Sequence, residues 1–142
     1  MNLEDYAEKA VEFARQSGCQ YCDVRAETVA SNGFLLENGE IEHFTSSSNS
    51  GLGIRVLAAG CWGFYSVSNP NSLEEIKNAA QEAVKSALHY SLSKKQKVRL
   101  ADAPTCVDKV DFRVLKQPTI EEMTKLGFEC DSIIKGKKRI NK

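Results

Sequence analysis

Cys19 and Cys22 are the first residues whose types and spacing could do chemistry. A C-x-x-C pair can supply half of a structural zinc site or a redox couple. A structural zinc takes four ligands, and the sequence holds no second C-x-x-C or H-x-H to complete the set. A redox pair of the thioredoxin kind follows a strand and opens a helix, whose dipole lowers the thiol pKa. Here the order is reversed, so both residues read as small buried or half-buried thiols. His43 and His89 are the only histidines, and neither is followed by Glu. No His-Glu-x-x-His helix is therefore present, and both read as surface or interface histidines. A serine nucleophile needs a G-x-S-x-G elbow and a base. The run Ser46, Ser47, Ser48, Asn49, Ser50 lacks that form and reads as polar chain, either a loop or the wet end of a strand. Gly51-Leu52-Gly53 opens a G-x-G but lacks the third glycine and the helix that would hold a phosphate.

These residues sit on elements that periodicity predicts. Leu3, Tyr6, Ala7, Ala10, Val11 and Ala14 share one face of a helix over 3–17, with Asn2 as N-cap and Gly18 as stop. Cys22, Val24 and Ala26 then alternate with Tyr21, Asp23, Arg25 and Glu27, the pattern of a half-buried strand. Strand signals continue through Val29 and through Gly33–Leu36. Asn38-Gly39 is a hairpin turn, so Ile41–Thr45 should return antiparallel. Leu52–Leu57 and Cys61–Val67 are the third and fourth strands, joined by a turn at Ala59-Gly60. Ser72 with Glu75 forms a capping box for an alanine-rich helix from Leu73 to about Tyr90. Residues 93–118 are a polar, basic connector with a short strand at Val98–Leu100. Thr119 and Glu122 cap a third helix over 119–136, whose apolar face is Met123, Leu126, Cys130, Ile133 and Ile134. Residues 137–142 are a basic tail. The expected fold is α+β: a largely antiparallel four-stranded sheet with helices packed on one face, in the order α-β-β-β-β-α, then connector and third helix. Residues 1–92 form its core.

The 142 residues are 42% hydrophobic and 27% charged, with zero net charge. That balance excludes a disordered chain, and no apolar run reaches the length that spans a bilayer. The start, MNLEDYAEKA, is acidic and amphipathic, unlike a secretory signal, so the expected compartment is the cytoplasm. Five cysteines are too dilute and odd in number for a disulfide framework and are read as reduced. Charge is uneven. Residues 1–93 hold 6 Lys or Arg against 12 Asp or Glu, a net −6, and residues 94–142 hold 13 against 7, a net +6. A basic arm could take nucleic acid by releasing counterions. Acids interleave with the bases until the last few residues, which favours a solvated linker and helix face.

Two stretches carry a family resemblance. Tyr21-x-Asp23-Val24-Arg25-x-Glu27 follows the amphipathic helix. Gly51-Leu52-Gly53-Ile54-Arg55-Val56-Leu57-x-x-Gly60-x-Trp62-Gly63-Phe64 follows the Asn-Gly hairpin and precedes the alanine-rich helix. Together they resemble the N-terminal domain of the TldD/PmbA family, zinc-dependent proteases also described as modulators of DNA gyrase. The resemblance covers residues 3–92 and extends more loosely to Pro118–Glu122.

The resemblance implies a zinc held by a His-Glu-x-x-x-His helix and a distant Cys, all beyond the N-terminal domain. None of those positions occurs here, so no catalytic, cofactor-binding or metal residue is carried over. The zinc is expected in the C-terminal part of a family member. The implied role is a non-catalytic peptide-cleft and dimerisation domain, or a fragment, of such a metallopeptidase, and the chain alone should be inactive. An extended peptide could pair with Asn32–Leu36, Ile41–Thr45 or the Ser/Asn run, because a strand edge pairs with any backbone. Arg55 is expected to pair with an acid and Trp62 to cover the sheet. The expected partners are a second copy or a homologous subunit, meeting on the face of the third helix. The alternatives are a stand-alone interaction subunit and, last, a nucleic-acid-binding module.

Overall fold

Helix formation starts where the capping chemistry predicts it. The Asn2 side chain accepts from the Asp5 amide at 2.8 Å, and the Asp5 carboxylate accepts from the Asn2 amide at 2.8 Å. Helix α1 (Leu3–Gln16) follows in the computed structural model, which describes residues 2–102, 104–112 and 118–137. Gly18 stops it at φ +89°, a backbone that favours glycine. Then come β1 (Tyr21–Glu37), β2 (Glu40–Ala58), β3 (Cys61–Ser68), α2 (Leu73–Ser93) and α3 (Ile120–Lys135).

The strands form one sheet in the order β1-β2-β3. The expected four strands are three, because Ile41–Thr45 and Leu52–Leu57 are two ends of a single β2. Ser46–Ser50 joins them as strand. A backbone ladder needs no apolar side chains. Here hydroxyls pair across it: Thr28 Oγ1 with Ser50 Oγ at 3.0 Å, and Ser31 Oγ with Ser47 Oγ at 2.9 Å. A strand exposed on both sides shows no alternation, so its sequence does not decide between loop and strand end. The Asn38-Gly39 turn forms as expected, with φ +55° and +87°. Ala59 and Gly60 make the β2–β3 turn, also with positive φ at both residues.

The chain divides into two compact units. One comprises Met1–Ala30 and Ser48–Ala103; the other comprises Ser31–Ser47 and Pro104–Lys142. In the first, Ala10 and Ala14 of α1 meet Leu52, Ile54, Val56 and Ala58 of β2 in one buried core. Ile76, Ala80, Ala83, Val84 and Ala87 of α2 complete it, so both helices lie on the same sheet face. Small residues allow the close approach. A Cβ at Gly63 would stand 2.1 Å from the Ala83 carbonyl oxygen and 2.7 Å from the Ala87 nitrogen.

Local expectations differ in four places. Ala26 is exposed, so the inward alternation of β1 stops at Val24. Ser72 caps α2 through the Glu75 amide, but the Glu75 carboxylate accepts from Asn71 instead of Ser72, at 3.2 Å. Helix α2 runs on to Ser93, past Tyr90. Val98–Leu100 is not a strand; instead the Val98 N–H donates to the Gly60 carbonyl at 2.8 Å.

In the second unit, Thr119 and Glu122 form the expected capping box of α3. Gly127 faces the Phe34 ring, and Gly39 lies under the Asp131–Lys135 ion pair of 2.7 Å. None of this unit's described residues is buried. Of the apolar face expected on α3, Met123 is half-buried, and Leu126, Cys130, Ile133 and Ile134 are exposed. Most of the basic tail, residues 138–142, lies outside the described residues.

Candidate functional site

With both helices on one face of the first unit's sheet, the opposite face is open. The β2–β3 register sets Leu57 against Trp62, Arg55 against Phe64, Gly53 against Ser66 and Gly51 against Ser68. Arg55 meets an acid, as expected: Asp23 Oδ2 lies 2.9 Å from both Nε and Nη2. The same guanidinium lies 5.1 Å from the centre of the Trp62 ring, and Tyr21 meets that ring edge-on at 5.9 Å. The four residues form a continuous cluster across the three strands. Asp23's hydrogen bond and charge hold the Arg55 pKa above its usual value. Loss of solvent, then the Asp23 carboxylate, push the Tyr21 phenol up. Both members of the ion pair are partly exposed, so it contributes at most about 1 kcal/mol. Its work is to fix the Trp62 ring, stacked and half in water.

Beside this cluster runs a shallow trough of about 550 Å³. Asp23, Arg25 and Glu27 of β1 form one wall, and Phe64 and Ser66 of β3 form the other. Gly51 and Gly53 lie between the walls without side chains, and the Phe64 ring packs over Gly53, where a Cβ would meet it at 3.4 Å. Gly53 thus makes room for a ring on the sheet face, and the strand that follows is no helix that could hold a phosphate.

The residues first singled out for chemistry are not brought together. Cys19 and Cys22 are half-buried at the start of β1, and burial, then the neighbouring Cys19, pushes the Cys22 thiol up to about 12. Burial also raises the Cys19 thiol. Protonated thiols are poor metal ligands and poor nucleophiles. His43 is exposed on β2 and His89 is exposed on α2. Among the described residues no group of three or more His, Cys, Asp and Glu is placed to hold a metal ion. The described residues therefore offer no ligand set for the zinc that the resemblance implies, which that resemblance places on residues beyond this domain.

Sequence reasoning found Arg55 and Trp62 but not their partners. The signal was present: Tyr21 and Asp23 stand two apart on β1, hence on one face. Of the segments expected to meet peptide, Ile41–Thr45 and the Ser/Asn run lie in β2, and Asn32–Leu36 lies in β1. Among the described residues, no helix is long and apolar enough to cross a membrane.

Residues 22–87 match the family model described as PmbA/TldA metallopeptidase domain 1. The match runs from the start of β1 to the last buried alanine of α2. A metalloprotease of Methanothermobacter thermautotrophicus is 31% identical over 100 residues, which is 70% of this chain and 20% of that protein. A metalloprotease of Methanocaldococcus jannaschii is 32% identical over 108 residues, 76% of this chain and 22% of that protein. The chain thus spans about a fifth of the length of the curated relatives it matches. The crystal structure of TldE from Thermococcus kodakarensis superposes with a TM-score of 0.58 at 17% identity, covering 94% of this chain and 30% of that one. A candidate modulator of a DNA gyrase from Thermotoga maritima superposes with a TM-score of 0.57 at 15% identity, covering 97% and 30%. At these identities the superpositions speak for the fold.

Proposed function

We propose that this chain, whose residues 22–87 match the model of PmbA/TldA metallopeptidase domain 1, is a non-catalytic peptide-cleft and subunit-contact domain of a cytoplasmic peptidase of that family. The observation that carries the reading is the open face of the first unit's sheet. It offers a trough with Gly51 and Gly53 between its walls and a fixed tryptophan beside it, where an extended chain can lie without its side chains being read. Peptide-bond hydrolysis would then depend on a metal held by residues other than those described. The domain supplies surface and orientation, which lower the entropic cost of presenting a scissile bond.

A second reading, a stand-alone interaction subunit, draws on the second unit. Leu126, Ile133 and Ile134 of α3 stay largely exposed there, and apolar surface of this kind marks contact with a partner. Association with a second copy or a homologous subunit is proposed on that face. The experiment is a cleavage assay on an unstructured peptide with zinc added and removed, beside elemental analysis of the purified chain. The reading expects no cleavage in either condition and no stoichiometric zinc. Cleavage that a chelator abolishes would overturn it. Sedimentation over a concentration series reads the subunit contact: association weakened by Ile133→Asp supports it, and a concentration-independent monomer removes it.

A further inference from the structure

The sheet of the first unit has two edges, and they are built differently. On β1, Asp23, Arg25 and Glu27 put charges along the strand, a common protection of an edge against pairing with another chain. On β3 the residues are Cys61, Trp62, Gly63, Phe64, Tyr65, Ser66, Val67 and Ser68, without a charge or a proline. Among the described residues β3 pairs with β2 alone, so its outer row of backbone N–H and C=O groups faces outward. Phe64 and Tyr65 stand exposed along it, at 61% and 44%.

Helix α2 runs beside this edge, and a recess of about 490 Å³ lies between them. Tyr65 and Ser66 line it from the strand, and Glu74, Glu75 and Glu82 line it from the helix, with no Lys or Arg in the lining. Lys85 bonds Glu82 from outside the recess at 2.5 Å, and Glu75 also accepts from the Asn71 amide. Among the described residues, the one ion pair of these three carboxylates is that of Glu82 with Lys85.

From the unguarded edge and this charge we infer that β3 takes up an extended peptide in which every second residue is Lys or Arg. An added strand places alternate side chains on the two faces of the sheet. Those on the helix side meet the glutamates of α2, and those on the other side lie beside Phe64 and take apolar residues. A second copy pairing through β3 would instead bring two sets of the same glutamates together, so the basic peptide is the occupant that the charges favour. The inference goes beyond the peptide-cleft reading, which uses the trough on the open sheet face, and adds the β3 edge as a second place for peptide.

The test uses the 142-residue chain, a labelled short peptide alternating lysine with valine, and its counterpart alternating glutamate with valine. Anisotropy reads binding, and amide hydrogen exchange reads its location. The expected result is binding of the lysine peptide, weakened by salt, with new protection confined to residues 61–68. Glu74→Lys with Glu82→Lys should weaken that peptide roughly tenfold and strengthen the glutamate peptide. The retained core exchange pattern shows that this variant is folded. Equal binding of both peptides at β3 overturns the charge inference and leaves the peptide-cleft reading standing. Binding of neither peptide anywhere overturns both. Protection of 61–68 without peptide, growing with chain concentration, assigns the edge to a second copy and overturns the inference.

Discussion

In the unit of Met1–Ala30 and Ser48–Ala103, Ile54, Val56, Ile76 and Ala83 have no surface left to solvent. In the unit of Ser31–Ser47 and Pro104–Lys142, Leu35, Leu126 and Ile133 each keep more than half of theirs. Both units are made of strand and helix, and both contain leucine, isoleucine and phenylalanine. They differ in layers. Three strands and two helices enclose a volume in which a side chain can lose water on every side. A two-stranded ribbon against one helix encloses none, and such a ribbon is marginally stable by itself. Apolar residues therefore stabilise the first unit and remain contact surface in the second.

Core truncation should break the symmetry between the units most strongly. Ile76→Ala is expected to cost about 2–5 kcal/mol, because it removes buried atoms and leaves a cavity in the first unit. Ile133→Ala, on the exposed face of α3, should stay within about 0.5 kcal/mol. Urea midpoints at constant slope read both, and equal losses would show that the second unit has a core as well.

Two glycines give the next contrast. At Gly63 the atoms in the way are the backbone of α2, so Gly63→Ala should cost about 2–3 kcal/mol. At Gly127 the atoms in the way belong to the Phe34 ring, which can turn aside. Helix propensity there favours alanine by about 1 kcal/mol, so Gly127→Ala should be nearly neutral. A thermal midpoint lowered as far by Gly127→Ala as by Gly63→Ala would mean that α3 is held against the hairpin rigidly.

Thiol chemistry separates the units by rate. Cys106 and Cys130 are exposed in the second unit, whereas burial pushes Cys22 from 9.0 to about 12. Alkylation near neutral pH should label Cys106 and Cys130 on the order of a hundredfold faster than Cys22, read by mass spectrometry of digested peptides. Folding raises the Cys22 pKa, so the protonated thiol supports the fold below pH 9. That support should fade as the pH climbs from 9 toward about 12, and Cys22→Ala should remove this part of the pH dependence. The smallest effect is Asp23→Asn. It should cost under about 1 kcal/mol, yet free the Trp62 ring enough to alter its fluorescence anisotropy.

Legibility in the sequence follows the same division. Where a face is buried, the pattern states it: the stripe of α1 and the alanines of α2 lie as read. Caps and tight turns were legible because their chemistry is local, as with Asn2, Thr119 and Asn38-Gly39. Ser46–Ser50 stays open between loop and strand end, because a hydroxyl ladder exposed to water carries no period. The candidate site was half legible. Gly51-x-Gly53 and Arg55 with Trp62 stood out, while Asp23 and Tyr21 are distant in sequence and reach Arg55 and Trp62 only by strand pairing. The edge at β3 could not be read, because which strand lies outermost is a property of sheet order.

The chain's single tryptophan sits on the open sheet face and tests the central claim directly. Titration with an unstructured peptide free of tryptophan, followed by Trp62 emission and by chromatography of the peptide, reads binding and cleavage together. The account predicts a saturable change in Trp62 emission with the peptide recovered intact. Peptide recovered in fragments, or bound with Trp62 emission unchanged, would contradict it.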